Sequence, residues 1–291
     1  MILACLREAD LQVNIQKCEF DVEETIFLEV ILSEQDLHMN SIKVKVIVNW
    51  VTLINLKEVQ SFVKFVNFYC CFIKNFLKLV KSFTQLTRKD TSFVWNKVCV
   101  QAFDDLKKQV SSTSVLRHFN SKRQTILEIN ALNYVKESIL SQYDDEDVLH
   151  SIVFYSKSMI LAECNYHIYD KKLLTIIWCF EHWRLKLECT ELLIQIFINH
   201  QTLKIFMKNK QLTQRQVNYL DILSEFNFQI IFWSGKMNTK VDALIRMSIA
   251  DISESAQRTE DCYQTILISD RVNVLAIESE ANFYQQIHIV N

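Results

Sequence analysis

Residues 165–187 read NYHIYDKKLLTIIWCFEHWRLKL, a run whose apolar positions recur at three- and four-residue intervals and form one thick stripe, as in a long helix. Before it, QTILEINA (124–131) and SIVFYSKSM (151–159) carry the β-branched and aromatic content of strands. After it, LLIQIFINH (192–200) reads as a strand, TQRQVNYLDILSEF (213–226) as a helix and FQIIFWSG (228–235) as a strand. TKVDALIRM (239–247) is a last helical piece. Strands and helices alternating at this spacing predict a compact mixed α/β domain over 120–246.

Upstream the period is different. Ile2, Leu3, Leu6 and Ala9 share a helical face, and TIFLEVIL (25–32) reads as one strand. From Ser41 to Phe83 the pattern is helical, with Val59, Phe62, Val63, Val66 and Phe72 mostly three or four residues apart. SFVWNKVCVQAFDDLKKQV (92–110) predicts an amphipathic helix that lines up Cys99, Phe103, Leu106 and Val110 and turns DDLKK to solvent. From Ser248 onward the chain is more polar and weakly periodic, and 247–291 reads as a linker or truncated tail.

The 291 residues are 49% hydrophobic and 23% charged, enough apolar material for true cores and unlike a disordered chain. No apolar run reaches membrane-spanning length and the first residues lack a signal-peptide pattern, so an intracellular, cytoplasmic or nuclear protein without a membrane is expected. Nine cysteines without a CxxC pair read as reduced thiols. The net charge of −2 gives no overall basic bias toward nucleic acid. The chain has one glycine, Gly235, and no proline, where average usage gives roughly 20 and 15.

In order and spacing these pieces resemble the Pol polyprotein of gypsy-type LTR retrotransposons up to about residue 250. LREADLQVNIQKCEFDVEETIFLEVILSEQDLHM looks like the end of a reverse transcriptase palm (1–40) and IVNWVTLINLKEVQSFVKFVNFYCCFIKNF like the thumb. FVWNKVCVQAFDDLKKQVSSTSVLRHFN resembles the connection, completing 41–119, and the segments from ILEINALNY to VDALIR resemble a ribonuclease H-like domain over 120–246. The resemblance implies a mixed sheet with helices, preceded by a mostly helical region. It also accounts for the missing glycines and prolines. Trp50 is followed by Val51 where the family has proline, Phe62 by Val63-Lys64 in place of Leu-Gly, and Tyr69-Cys70-Cys71-Phe72 replaces Tyr-Arg-Arg-Phe. Ser234-Gly235 keeps the glycine without its preceding proline. Such changes match C-to-T and G-to-A transitions and imply a degenerate copy.

The family's ribonuclease H site holds two Mg²⁺ ions about 3.5–4 Å apart between three aspartates and a glutamate and hydrolyses the RNA of RNA–DNA hybrids. Carried over by position, the carboxylates fall on Asn130, Lys172, Asn199 and Asp242, of which only Asp242 remains a carboxylate. The formal charge of the site goes from −4 to 0. Glu128 lies about 6–7 Å along the strand face from Asn130, and Asp170 is turned roughly 200° around the helix from Lys172, so neither replaces a lost ligand directly. Asp242 alone is a weak metal ligand, and Mg²⁺ is not expected to bind productively.

His200 and Arg184 are the candidate nucleic-acid contacts, for the RNA–DNA hybrid and template-primer that the resemblance implies as partners. Phe180 and Trp183, beside His182 and Arg184, read either as stacking platforms or as part of the buried helix stripe. Tyr143-Asp144-Asp145-Glu146-Asp147 sits between two strands and reads as a solvated turn rather than a polymerase aspartate pair, which in the family belongs before Met1. No His/Cys spacing of an integrase zinc finger follows residue 250. Three readings remain open: an inactive reverse transcriptase/ribonuclease H segment, a working nuclease built on Glu128, Asp242 and the asparagines, and a non-enzymatic scaffold that binds a partner or a hybrid duplex.

Overall fold

The computed structural model describes residues 2–88, 91–112, 115–131, 134–198, 213–233 and 263–268. After α1 (Ile2–Glu8) come three antiparallel strands, β1 (Glu24–Phe27), β2 (Val30–Ser33) and β3 (Asp36–Met39). TIFLEVIL is therefore a hairpin and not one strand. Phe27 pairs with Val30, and the two residues between them, Leu28 and Glu29, adopt φ of 46° and 65°. A two-residue hairpin turn with positive φ at both positions is normally marked by Asn-Gly. Leu-Glu gives no such mark, so the sequence hides the turn. Glu29 is held in place by Lys43 Nζ, which donates to it at 2.9 Å, and by the Tyr69 hydroxyl at 3.4 Å.

Four helices follow: α2 (Ser41–Val48), α3 (Leu56–Asn67), α4 (Phe76–Leu86) and α5 (Lys97–Ser111). Asparagines start all four, and three of them cap with the side chain. Asn40, Asn55 and Asn96 accept from the amides of Ile42, Glu58 and Cys99, satisfying first-turn donors without help from glycine or proline. The Asn96 cap begins α5 five residues inside the stretch read as helical. The expected stripes are buried together: Val59, Phe62, Val66, Phe72, Cys99, Phe103, Leu106 and Val110 share one core, with Val63 packed at its side. The short β4 (Leu116–Arg117) then returns to pair with β3, so strands on either side of the helices complete the first sheet.

The second sheet has the order β10-β9-β8-β5-β6-β7 and contains β5 (Thr125–Ala131), β6 (Val135–Tyr143), β7 (Leu149–Ser158), β8 (Ile194–Ile198), β9 (Phe228–Trp233) and β10 (Tyr263–Ile268). The helices between are α6 (Leu161–Cys164), α7 (Ile168–His182), α8 (Arg184–Leu187) and α9 (Gln214–Ser224). β5, β8 and β9 run parallel, and β5, β6 and β7 form an antiparallel meander. The mixed α/β fold after residue 120 and the helical region before it are as the sequence predicts. Three details differ. The long helix breaks at Trp183 into α7 and α8. Strand β6 has no polar–apolar alternation, because Lys136, Glu137, Ser138, Ser141 and Gln142 are all buried. Within the segment read as a linker or tail, residues 263–268 pair with β9 as an added strand. The expected helix at 239–247 lies outside the described residues.

Candidate functional site

The two faces of β5 look into different layers. Leu127 and Ile129 join Leu173, Ile176, Ile177 and Phe180 of α7 in one core. Successive side chains alternate across a strand, so Glu128 and Asn130 belong to the opposite face. Asn130 sits one residue from the end of β5, directly across from Glu137 in the β5–β6 register. Its neighbour Ile129 pairs with Ile198, the last residue of β8. β5, β7, β8 and β9 all point the same way, so their C-terminal ends share one edge of the sheet.

Helix α7 follows β7 from that edge. Its first turn is tied to α9, where Gln216 Nε2 donates to Asp170 Oδ1 at 3.0 Å. Asp170 is thus committed to a neighbouring helix. Lys172 lies one turn in and is 2% exposed; burial lowers its pKa to about 8. At neutral pH the ammonium persists, in the position where the resemblance expects a carboxylate. Asn199, His200 and Asp242 lie outside the described residues, so Asn130 and Lys172 are the two expected site positions with a structural description.

The aromatic and basic cluster on α7 and α8 divides. Phe180 and Trp183 are buried in the core, as helix-stripe residues are. His182 stacks on Tyr155 with ring centroids 4.3 Å apart, and burial with the nearby Lys157 lowers its pKa. Arg184 is exposed and donates from Nε to Glu188 and from one terminal nitrogen to Glu225. The acidic run forms the β6–β7 turn. Asp144 Oδ1 accepts from the Glu146 and Val148 amides and Oδ2 meets His150 at 2.7 Å, while Asp147 takes φ 60°.

One residue at the site escaped the sequence. Glu137 faces the same layer as Asn130 and is 5% exposed. Lys78 of α4 lies 2.6 Å from its Oε2, a charge-assisted contact that reaches a nearly buried carboxylate. Burial raises the Glu137 pKa, opposed by Lys78 and more weakly by Lys74. Beside it, Lys81 Nζ stands 3.6 Å from the centre of the Tyr134 ring. No periodic signal in YVKESILSQY marks Glu137, because its role depends on a helix some 60 residues earlier in the chain.

Residues 95–194 match the family described as the RNase H-like domain found in reverse transcriptase. The Tf2-3 and Tf2-4 transposon polyproteins of Schizosaccharomyces pombe are each 31% identical over 248 residues, covering 84% of this chain and 19% of theirs. The chain belongs to the gypsy-type LTR retrotransposon polyproteins. It corresponds to their reverse transcriptase/ribonuclease H-like segment and spans about a fifth of the length of those relatives. Two structures of the foamy viral protease-reverse transcriptase share the fold. The one in complex with dsDNA has a TM-score of 0.60 at 18% identity, covering 80% of this chain and 50% of that one. The one in complex with RNA/DNA hybrid has a TM-score of 0.59 at 19% identity, covering 79% and 32%.

Domains of this family use Mg²⁺. Among the described residues no group of three or more His, Cys, Asp or Glu side chains could hold a metal. Asn130 offers a neutral amide, Lys172 a buried cation, and the carboxylate beside Asn130 is already paired with Lys78. Mg²⁺ needs carboxylate and water oxygens to offset its dehydration. Among the described residues no helix is long and apolar enough to cross a membrane.

Proposed function

We propose that this polyprotein segment keeps the reverse transcriptase/ribonuclease H-like fold and has lost hydrolysis of RNA in RNA–DNA hybrids. The observation that carries the reading is Lys172, almost fully buried on the helix where the site glutamate belongs. A buried ammonium repels a dication in a low-dielectric cleft, and asparagines at 130 and 199 supply no compensating charge. With Asp242 alone, the site cannot balance two Mg²⁺ ions.

The test is cleavage of an RNA–DNA hybrid in Mg²⁺ and in EDTA by the parent, by the single variants and by Asn130→Asp/Lys172→Glu/Asn199→Asp. The parent and the singles are expected to be inert and the triple variant active, because residues of a two-metal site act as a unit. Lys172→Glu should be required in every active combination. Metal-dependent cleavage by the parent overturns the reading.

A scaffold that binds nucleic acid without cutting it is the second reading. It is favoured by the two closed cores, which retain their packing around the altered site. Hybrid binding whose affinity falls steeply with salt supports it, and no binding at about 0.1 M salt removes it.

A further inference from the structure

The helical layer does not merely sit beside the second sheet. Phe154 of β7 and Ile139 of β6 belong to the helical core, on the face of the sheet away from α7. At the end of that contact α4 sends two lysines to the β5–β6 hairpin, Lys78 to Glu137 and Lys81 to the Tyr134 ring. The charged and polar groups facing Glu137 can be named from each element: Lys78 on α4, Lys74 just before it, Asn130 and, two residues earlier, Glu128 on β5, and Ser156 paired with it on β7. On its own strand Lys136 and Ser138 point to the other face, where Lys136 pairs with Glu163 at 2.8 Å and Ser138 accepts from Cys179.

We propose that Lys78 and Glu137 form a clasp that holds the helical layer over the Asn130 face, and that it works only while position 130 is uncharged. Glu137 is 5% exposed, so the Lys78 ammonium at 2.6 Å is what makes its charge tolerable. Residues opposed across an antiparallel pair have Cβ atoms about 4.5–5.5 Å apart. A carboxylate at 130 would therefore compete with Glu137 for one ammonium and place two like charges directly across the hairpin from each other. The clasp and a carboxylate at 130 exclude each other.

Truncating one partner of a buried pair strands the other, whereas neutralising both is nearly free, so the variants should differ in a set order. Lys78→Met should raise amide exchange of α4 (76–86) about tenfold or more at pH 8 while β5 and β8 stay protected. Glu137→Gln alone should loosen α4 less than Lys78→Met does, because the Lys78 side chain is 31% exposed and can turn to water, and Lys78→Met/Glu137→Gln should restore protection. Asn130→Asp should loosen α4 as Lys78→Met does, and Asn130→Asp/Glu137→Gln should not. The defects of Lys78→Met and Asn130→Asp should shrink as the pH is lowered, as Glu137, whose pKa burial raises, takes up a proton. Equal α4 exchange in the parent and Lys78→Met, or an Asn130→Asp defect that Glu137→Gln leaves in place, overturns the clasp. Should Lys78→Met fail to fold, the Asn130→Asp pair of variants decides by itself.

Discussion

Six described residues other than glycine hold positive φ, and four are Asp or Asn, whose short polar side chains tolerate it. Leu28 and Glu29 are different. Leu28 is 68% exposed, so its side chain gains little from burial while its backbone carries roughly 1–2 kcal/mol of strain. Leu28→Asn is expected to stabilise the protein by about 1 kcal/mol in urea unfolding, and no gain would mean that the turn is not strained. Lys172 makes a second expectation at this scale. Its folded pKa, about 8, lies below the ordinary 10.5. Between those values the unfolded chain binds more protons than the folded one, so stability should rise as the pH goes from about 8 to 10.5. Lys172→Met should flatten that rise. An unchanged pH profile would place the lysine in contact with water.

Among the elements, β6 has the least regular sequence and carries the densest set of buried polar contacts. Gln142 donates to the Asn120 carbonyl at 2.8 Å and to Thr125 Oγ1 at 2.9 Å, and accepts from the Asn120 amide at 2.9 Å. These bonds set the start of β5 and hence its register against β8. Gln142→Ala leaves buried groups unsatisfied and is expected to cost about 2–3 kcal/mol in chemical denaturation; a cost below about 0.5 kcal/mol would mean that water replaces the amide. The same strand shows why part of the fold was hidden in the sequence. Helices with one apolar stripe, such as α3 and α5, could be read from spacing because one face packs and the other is wet. β6 is buried through most of its length, so its polar residues are matched by partners far along the chain that spacing cannot indicate. The β1–β2 turn was concealed for a different reason, since nothing in Leu-Glu announces positive φ. Motif order nominated Asn130 and Lys172 as candidate positions, while Glu137 became visible only when α4 packed against the hairpin.

For the molecule as a whole, two cores meet through Phe154 and the Lys78–Glu137 pair. Strained turns without glycine, and loops without proline to restrict the unfolded chain, reduce a margin that is commonly about 5–15 kcal/mol. A melting midpoint below about 65 °C is expected by calorimetry, and a sharp transition above it would contradict accumulated damage.

Strand β10 has a bearing on the molecule's behaviour at high concentration. It pairs antiparallel with β9 from Tyr263↔Trp233 to Ile268↔Gln229, with an irregularity between Thr265 and Leu267 that bends the outer rim. Without it, β9 would present the row of unpaired amides and carbonyls of FQIIFW, apolar and almost uncharged, to any passing chain. Removing residues 251–291 should therefore do more to solubility than to folding. The shortened protein is expected to retain its circular dichroism when dilute and to form thioflavin-positive aggregates as its concentration rises, a change that light scattering would follow. Placing a lysine in β9 at Ile231, as Ile231→Lys, should suppress that association by making the open rim unfit for a second strand.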